Sequence, residues 1–212
     1  MKKTLLLFVM LIGAASLFAQ TPYCCVTKGA ILTYTSYDAK GRESGTTTNI
    51  YNDVTVISDK DYDVQIQTVV NMAFGASTAE TTMEVRNGCA SVSMNNGTME
   101  ITATDPDLLR VPYEMSVGQK LPLGDMTMDM NGFKVTAHIT ENEVVAQEEI
   151  TTPAGTYDCF VVQQTSWSRV MGIKSETTTK IWYARGIGQV KQESYSKGKL
   201  SATMVLTSVQ NM

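Results

Sequence analysis

The only histidine, His138, is the residue through which any imidazole-based acid–base or nucleophilic chemistry would have to run. It lies in the segment 133–139, where apolar and polar residues alternate. On a strand, this alternation places His138 on the polar face with Lys134 and Thr136. No Gly-x-Ser-x-Gly motif supplies a serine partner. We therefore interpret His138 as a solvent-facing strand residue.

Asp59, Asp61 and Asp63 stand at alternate positions, as the first carboxylates of a calcium loop do. The sixth position of that loop is Val64, where a sharp turn needs glycine. The twelfth is Val70, where the ion needs a bidentate glutamate. The pattern favours an acidic hairpin turn, with weak calcium binding as the alternative.

Met126, Met128 and Met130 follow one another at a spacing of two, so on a strand their thioethers form one stripe. Thioethers can hold Cu(I). The chain has 13 methionines spread along its length, which favours their other role as flexible apolar side chains. We interpret the stripe as the adaptable wall of an apolar site and keep copper as the alternative.

Trp182 and Tyr183 form an aromatic pair that is a second candidate for ligand binding, at the mouth of a cavity or under a sugar. Packing within a strand is the alternative role for such residues. Paired carboxylates of a glycoside hydrolase come from distant strands, and nothing in this sequence singles out such a pair. We therefore predict no catalytic residue, no metal site and no cofactor.

Four cysteines follow residue 20: Cys24, Cys25, Cys89 and Cys159. Their spacing is not that of a zinc site, because the one close pair is adjacent. In an oxidising compartment they can pair in three ways, and the sequence leaves the connectivity open. A bond between the adjacent Cys24 and Cys25 would strain the peptide, so any disulfide is expected to join one of them to a distant cysteine.

Residues 1–19 have the three zones of a secretory signal: Lys2 and Lys3, an apolar run, then small residues up to Ala19. The run is too short to span a bilayer. Cleavage after Ala19 removes two lysines and no acids, which changes the formal net charge from −4 to −6. This charge and the absence of a basic run argue against nucleic acid. We predict export to the periplasm or the extracellular space and one domain over residues 20–212.

Short β-branched and aromatic segments separated by turn residues predict an antiparallel meander that forms a strongly curved sheet or a half-barrel or barrel. After two hairpin strands up to Ser58 and one beginning near Val64, strands are expected near 79–86, 89–95, 98–103, 133–140, 142–150, 157–170, 176–184, 188–195 and 199–209. Asn87-Gly88 and Lys197-Gly198 mark turns. Asp105 and Pro106 begin the one predicted helical turn, over 105–109.

Two segments, Thr152-Pro153-Ala154-Gly155-Thr156-Tyr157-Asp158-Cys159 and the run 180–191 that contains Trp182, Tyr183, Gly186 and Gly188, carry a family resemblance. They resemble exported proteins of the DUF3108-like group, which are similar to lipoprotein carriers of the LolA and LolB kind. The weaker segment 116–125 resembles the same group. Gly186 and Gly188 permit a sharp bend or bulge after the aromatic pair.

The carrier-like resemblance implies a protein without enzymatic activity that binds a lipid or acyl chain on the concave face of the sheet. On this hypothesis Met126, Met128, Met130, Trp182 and Tyr183 bind the ligand. The alternative is a structural or interaction module of the cell envelope, with a filled core and a protein partner. A carboxylate-dependent hydrolase is the third hypothesis.

Overall fold

The computed structural model describes residues 21–73, 75–93, 99–130, 132–170 and 173–212. The side chains at positions 92, 93, 99, 130 and 170 are outside this description. The predicted signal peptide, over residues 1–19, also lies outside it. Among the described residues, no helix has the length and apolar character that crossing a membrane requires.

The prediction of an all-β fold is confirmed. The strands are β1 (Ile31–Asp38), β2 (Glu43–Ser58), β3 (Asp61–Met72), β4 (Gly75–Arg86), β5 (Cys89–Ser93), β6 (Met99–Ala103), β7 (Arg110–Val111), β8 (Gly124–Met130), β9 (Phe133–Thr152), β10 (Gly155–Val170), β11 (Ile173–Ala184), β12 (Gly188–Ser196) and β13 (Lys199–Gln210). A 3-10 helix covers Pro106–Leu109, as predicted, and the carboxylate of Asp105 caps it by accepting a hydrogen bond from the backbone N–H of Asp107.

All 13 strands belong to one antiparallel sheet, in the order β6-β8-β9-β10-β11-β12-β13-β1-β2-β3-β4-β5-β7. The two edge strands, β6 and β7, are joined by residues 104–109 alone. That connection reaches at most ~25 Å, whereas a flat sheet of this many strands would be about 60 Å wide. The sheet must therefore curve to bring its edges together, and it remains open between them.

Strand β9 covers both of the strands predicted at 133–140 and 142–150. Its register against β10 shifts at two places, which leaves Thr140 and Val145 as extra residues. Such bulges let one long strand bend without ending. The break expected between the predicted strands 133–140 and 142–150 therefore lies inside one bent strand. Strand β8, which carries the methionine stripe, lies outside the ranges predicted above.

The main core runs through the curved sheet and includes Leu32, Val64, Val85, Val190 and Leu206, all fully buried. A second buried cluster joins Tyr23, Met115, Val144 and Val162. The loop over 112–123 brings Met115 to this cluster. It is held there because the backbone N–H of Gly118 and of Leu121 donate to the carbonyls of Val144 and Asn142 on β9.

Residues 21–26 lie against the sheet, and Tyr23, Cys24, Cys25 and Val26 belong to its core clusters. The backbone N–H of Gly186 donates to the carbonyl of Pro22, and the guanidinium of Arg185 donates to the carbonyl of Thr21, both at 2.8 Å. Tyr23, Cys24 and Cys25 are buried as a result. The segment immediately before β1 thus fills space inside the curved sheet.

Candidate functional site

A cavity of about 360 Å³ opens where the curved sheet, residues 23–25 and the strand β7 meet. Its volume lies at the lower end of the usual range for ligand pockets, about 300–1,000 Å³. The walls come from β1 to β5, from β11 to β13 and from the segment that precedes β1. The lining residues are Tyr23, Cys24, Cys25, Tyr34, Thr47, Asn49, Tyr51, Ile66, Thr68, Thr81, Met83, Ala90, Leu109, Val111, Tyr183, Ile187, Gly188, Gln189 and Met204.

None of these lining residues is charged. Threonine and asparagine side chains on β2, β3 and β4 form the most polar wall. The hydroxyl of Thr68 donates to Oδ1 of Asn49 at 2.9 Å, and the hydroxyl of Thr81 donates to the carbonyl of Ile66 at 3.4 Å. The other walls are apolar or aromatic, so the cavity suits a molecule that is mostly hydrocarbon.

Gln189 is the polar residue on the opposite wall. Its backbone carbonyl accepts a 3.0 Å hydrogen bond from the hydroxyl of Tyr34. Its side-chain Nε2 is buried and has no hydrogen-bond partner among the described residues. Tyr183 stands directly opposite Gln189 in the register of β11 and β12. A bulge at Val190 makes this pairing. The bend predicted at Gly186 and Gly188 is the turn from β11 to β12, where both glycines have positive φ.

Burial governs the tyrosines and thiols around the cavity. It raises the pKa of Tyr183 to about 12 and also raises the pKa of Tyr34 and of Tyr51 above the ordinary value of a phenol. Burial, and secondarily the neighbouring Cys25, raises the pKa of Cys24 to about 12. These phenols and this thiol are therefore neutral at physiological pH.

All four cysteines are free thiols in the structure. Cys24, Cys25 and Cys159 are buried in the core, whereas Cys89 is half-buried.

A second, more polar cavity of about 600 Å³ shares one wall with the first. Tyr23 lines both cavities. The guanidinium of Arg185 lies over the ring of Tyr23, 4.3 Å from its centroid. Glu114, Asp158 and Arg185 bring charge to this second cavity. Tyr23 thus lies between the uncharged 360 Å³ cavity and the charged 600 Å³ cavity.

The structure separates the residues that the sequence proposed for ligand binding. Tyr183 lines the 360 Å³ cavity, but Met126 and Met128 are not among its lining residues. Both methionines are partly buried on β8, where they oppose Ala137 and Val135 of β9. The backbone of Met130 continues β8, and its side chain lies outside the described residues.

Trp182 is the neighbour of Tyr183 in β11, so its side chain points to the other face of the sheet. Its indole N–H donates a 2.6 Å hydrogen bond to Oε1 of Glu148, and the ammonium of Lys191 lies 4.6 Å from its ring. The side chain is buried. It therefore makes a satisfied structural contact rather than a wall of the cavity.

His138 has more contacts than a solvent-facing residue would. Its Nδ1 lies 2.7 Å from a carboxylate oxygen of Asp125, and its ring stacks on Trp167 with centroids 4.0 Å apart. Asp125, His138 and Trp167 stand in one row across β8, β9 and β10. The row stabilises the sheet by cross-strand pairing.

The acidic turn at 59–63 is held by protein contacts. The hydroxyl of Ser58 and the backbone N–H of Asn87 donate to the carboxylate of Asp61, and these bonds lower its pKa. Asp63 pairs with Arg86 at 2.6 Å. In the described part of the chain, no three His, Cys, Asp or Glu side chains are grouped as a metal site requires.

Sequence reasoning missed the methionines that do line the cavity, Met83 and Met204, and the tyrosines Tyr34 and Tyr51. Tyr34 and Met83 stand in ordinary alternating strand patterns, whereas the sequence around Tyr51 and Met204 does not alternate. The available signal was weak: tyrosine and methionine at inward positions, where branched aliphatic residues are more usual.

The comparisons with known proteins agree with this fold. A crystal structure of a Bacteroides fragilis protein with a YmcC-like fold, classed as exported, has a TM-score of 0.75 and 18% identity, covering 90% of this chain and 100% of that one. A Parabacteroides distasonis protein, classed as a lipoprotein, has a TM-score of 0.75 and 19% identity, covering 90% of this chain and 99% of that one.

At these identities the likeness establishes the fold alone. No curated protein sequence matches the chain. The DUF3108-like family matches it over residues 27–206, which cover every strand from β1 to β12 and most of β13. The chain belongs to the DUF3108-like family.

Proposed function

We propose that this chain is an exported protein that binds an apolar molecule, such as an acyl chain, in the 360 Å³ cavity. The observation that carries the proposal is the uncharged lining, which mixes aromatic, methionine and small polar side chains. Its export is supported by the signal pattern of residues 1–19 and by two structural neighbours that are classed as exported and as a lipoprotein.

The proposal assigns ligand contact to Met83, Met204, Tyr51 and Tyr183, whose side chains line the cavity from four different strands. Methionine walls are polarizable and change rotamer easily, so they suit flexible hydrocarbon chains. Burial of each methylene contributes about 0.8 kcal/mol. Affinity should therefore rise about fourfold per added methylene until the cavity is full.

The test is a titration of delipidated protein with straight-chain alcohols of increasing length. Met204→Trp fills the cavity and should weaken binding at least tenfold. Met128→Trp is the matched control, because Met128 is a partly buried strand methionine that does not line the cavity. Absence of saturable binding to any chain length would contradict the proposal and favour a structural or interaction module of the cell envelope.

A further inference from the structure

We propose that one end of the sheet docks on the surface of an anionic lipid bilayer. This end, called the hairpin rim here, consists of the turns of the hairpins β1–β2, β3–β4, β8–β9, β10–β11 and β12–β13 together with the two outermost residues of each flanking strand. Its lysines and arginines bind the lipid headgroups, and its apolar side chains insert between them. The inference goes beyond the proposed function and does not depend on the cavity.

The antiparallel topology places these five turns at the same end of the sheet. Successive strands of an antiparallel meander run in opposite directions, so every second turn lies at one end. The ten strands from β8 to β4 are consecutive in the sheet order, and β13 pairs antiparallel with β1. Neighbouring turns of the rim are thus separated by two strands, about 10 Å.

The rim is basic although the chain as a whole is acidic. Among the described residues it has seven exposed cations: Lys40, Arg42, Lys134, Arg169, Lys174, Lys197 and Lys199. Three acids accompany them, Asp38, Glu43 and Asp129, so the rim has a formal charge of +4, against −4 for the whole chain. A bilayer that contains anionic lipids attracts such a surface, with a gain of roughly fivefold in affinity for each lysine or arginine.

Exposed apolar side chains stand beside these cations. Four of the five hairpins have one: Met72 in β3–β4, Phe133 in β8–β9, Ile173 in β10–β11 and Leu200 in β12–β13, with exposed fractions of 62%, 50%, 73% and 40%. Phe133, Ile173 and Leu200 each adjoin a rim lysine in the sequence. Insertion below the lipid headgroups removes these side chains from water, which folding does not do.

A lipid surface fits this arrangement better than a macromolecular partner does. A protein interface has a contiguous apolar core, whereas these apolar side chains stand on separate turns about 10 Å or more apart. A nucleic acid would pair with the cations but would leave the apolar side chains in water. A fluid bilayer can take up each turn separately, with its cation among the headgroups and its apolar side chain below them.

The first experiment is vesicle flotation of the exported protein, after its intact mass has shown that residues 1–19 are removed. Vesicles of phosphatidylcholine are compared with vesicles of equal parts phosphatidylcholine and phosphatidylglycerol. We expect about tenfold tighter binding to the anionic vesicles at ~0.1 M salt, and weaker binding to them at ~1 M salt. Equal binding to the two kinds of vesicle, or binding to neither, overturns the inference.

Two pairs of lysine substitutions locate the charge effect. Lys174→Gln with Lys199→Gln removes two rim cations and should weaken binding to the anionic vesicles about tenfold or more. Lys28→Gln with Lys120→Gln is the matched control, because these side chains are 67% and 76% exposed and lie outside the rim. Equal losses from the two pairs would show a general effect of net charge and contradict docking through the rim.

Two pairs of apolar substitutions test insertion. Phe133→Ser with Ile173→Ser should weaken binding to the anionic vesicles about tenfold. Val56→Ser with Ile57→Ser is the control and should leave binding unchanged, since these residues are 66% and 55% exposed near the β2–β3 turn at the opposite end of the sheet. Undiminished vesicle binding by the first pair overturns the inference, because the rim would then bind any polyanion, DNA included, through its charge alone.

A measurement on wild-type protein requires no substitution. Met72 lies on the rim, and Met212 follows the end of β13 at the opposite end of the sheet, with exposed fractions of 62% and 55%. Protein labelled with ¹³C at the methionine methyl groups is bound to anionic nanodiscs that contain a lipid with a gadolinium chelate on its headgroup. We expect the Met72 methyl signal to broaden strongly and the Met212 signal to persist. Equal broadening of both signals, or broadening of Met212 alone, overturns the inference.

Discussion

The hydroxyl of Tyr34 on β1 donates a 3.0 Å hydrogen bond to the backbone carbonyl of Gln189 on β12, although β13 lies between these two strands in the sheet. The bond spans 155 residues of sequence. It can form only because the sheet curves, so that side chains on one face reach over the intervening strand. It also fixes the backbone of Gln189, a residue that lines the cavity.

We predict that Tyr34→Phe lowers the free energy of unfolding by about 1 kcal/mol, because a buried carbonyl loses its partner while the ring still packs. Urea unfolding measures the change. Tyr37→Phe, on the same strand but only partly buried, is the control and should change stability by less than about 0.5 kcal/mol. Equal effects of the two substitutions would contradict the role given to the Tyr34 hydroxyl.

The two tight turns Asn87-Gly88 and Lys197-Gly198 make a matched pair, and the sequence prediction of both turns is confirmed. In each, the first residue has φ 51°, and the glycines have φ 77° and 72°. A Cβ on Gly88 would lie 2.0 Å from the ring of Tyr113, whereas a Cβ on Gly198 meets nothing within 4 Å.

Gly198→Ala should therefore cost about 1 kcal/mol, from backbone strain alone. Gly88→Ala should cost about 2 kcal/mol more, because Tyr113 must also move. Chemical denaturation of the Gly198→Ala and Gly88→Ala variants measures the two losses of stability. Equal losses of stability would show that the ring of Tyr113 does not pack on this turn.

The buried thiols predict how the native protein reacts with a thiol reagent. At pH 8, we expect one cysteine, the half-buried Cys89, to react rapidly with a disulfide reagent in the native state, and Cys24, Cys25 and Cys159 to react only on unfolding. Mass spectrometry of the labelled peptides identifies the residue. Rapid labelling of Cys24 in the native protein would contradict the buried position of residues 21–26.

The same thiols give stability a pH dependence. Burial raises the pKa of Cys24 and of Cys159 to about 12, so both stay protonated in the folded state while the unfolded chain ionises them near pH 8.5. The unfolded state then binds fewer protons, and stability falls as pH rises from about 8.5 towards 12. We expect the urea concentration at the unfolding midpoint to fall less between pH 8 and pH 10 in Cys24→Ala than in the wild-type protein. An unchanged slope would contradict the raised pKa.

Much of the fold was predictable from local pattern. Alternation of β-branched residues and the Asn-Gly and Lys-Gly turns mark most strands, and Asp105 with Pro106 marks the one short helix. The cavity was not predictable in the same way, since it joins Tyr34 to Gln189 and Met83 to Met204 across most of the chain. The methionine stripe of β8 and Met83 of β4 stand in the same alternating pattern, and only sheet curvature and bulges decide which methionines line the cavity.

The most direct test of the account is methyl NMR of protein labelled with ¹³C at the methionine methyl groups and titrated with dodecanol. Met83 and Met204 line the cavity, and Met128 does not. The account predicts intermolecular nuclear Overhauser effects from the alkyl chain to the methyls of Met83 and Met204, with no such effect at Met128. Effects at Met128 without any at Met83 or Met204 would place the ligand outside the cavity and contradict the account.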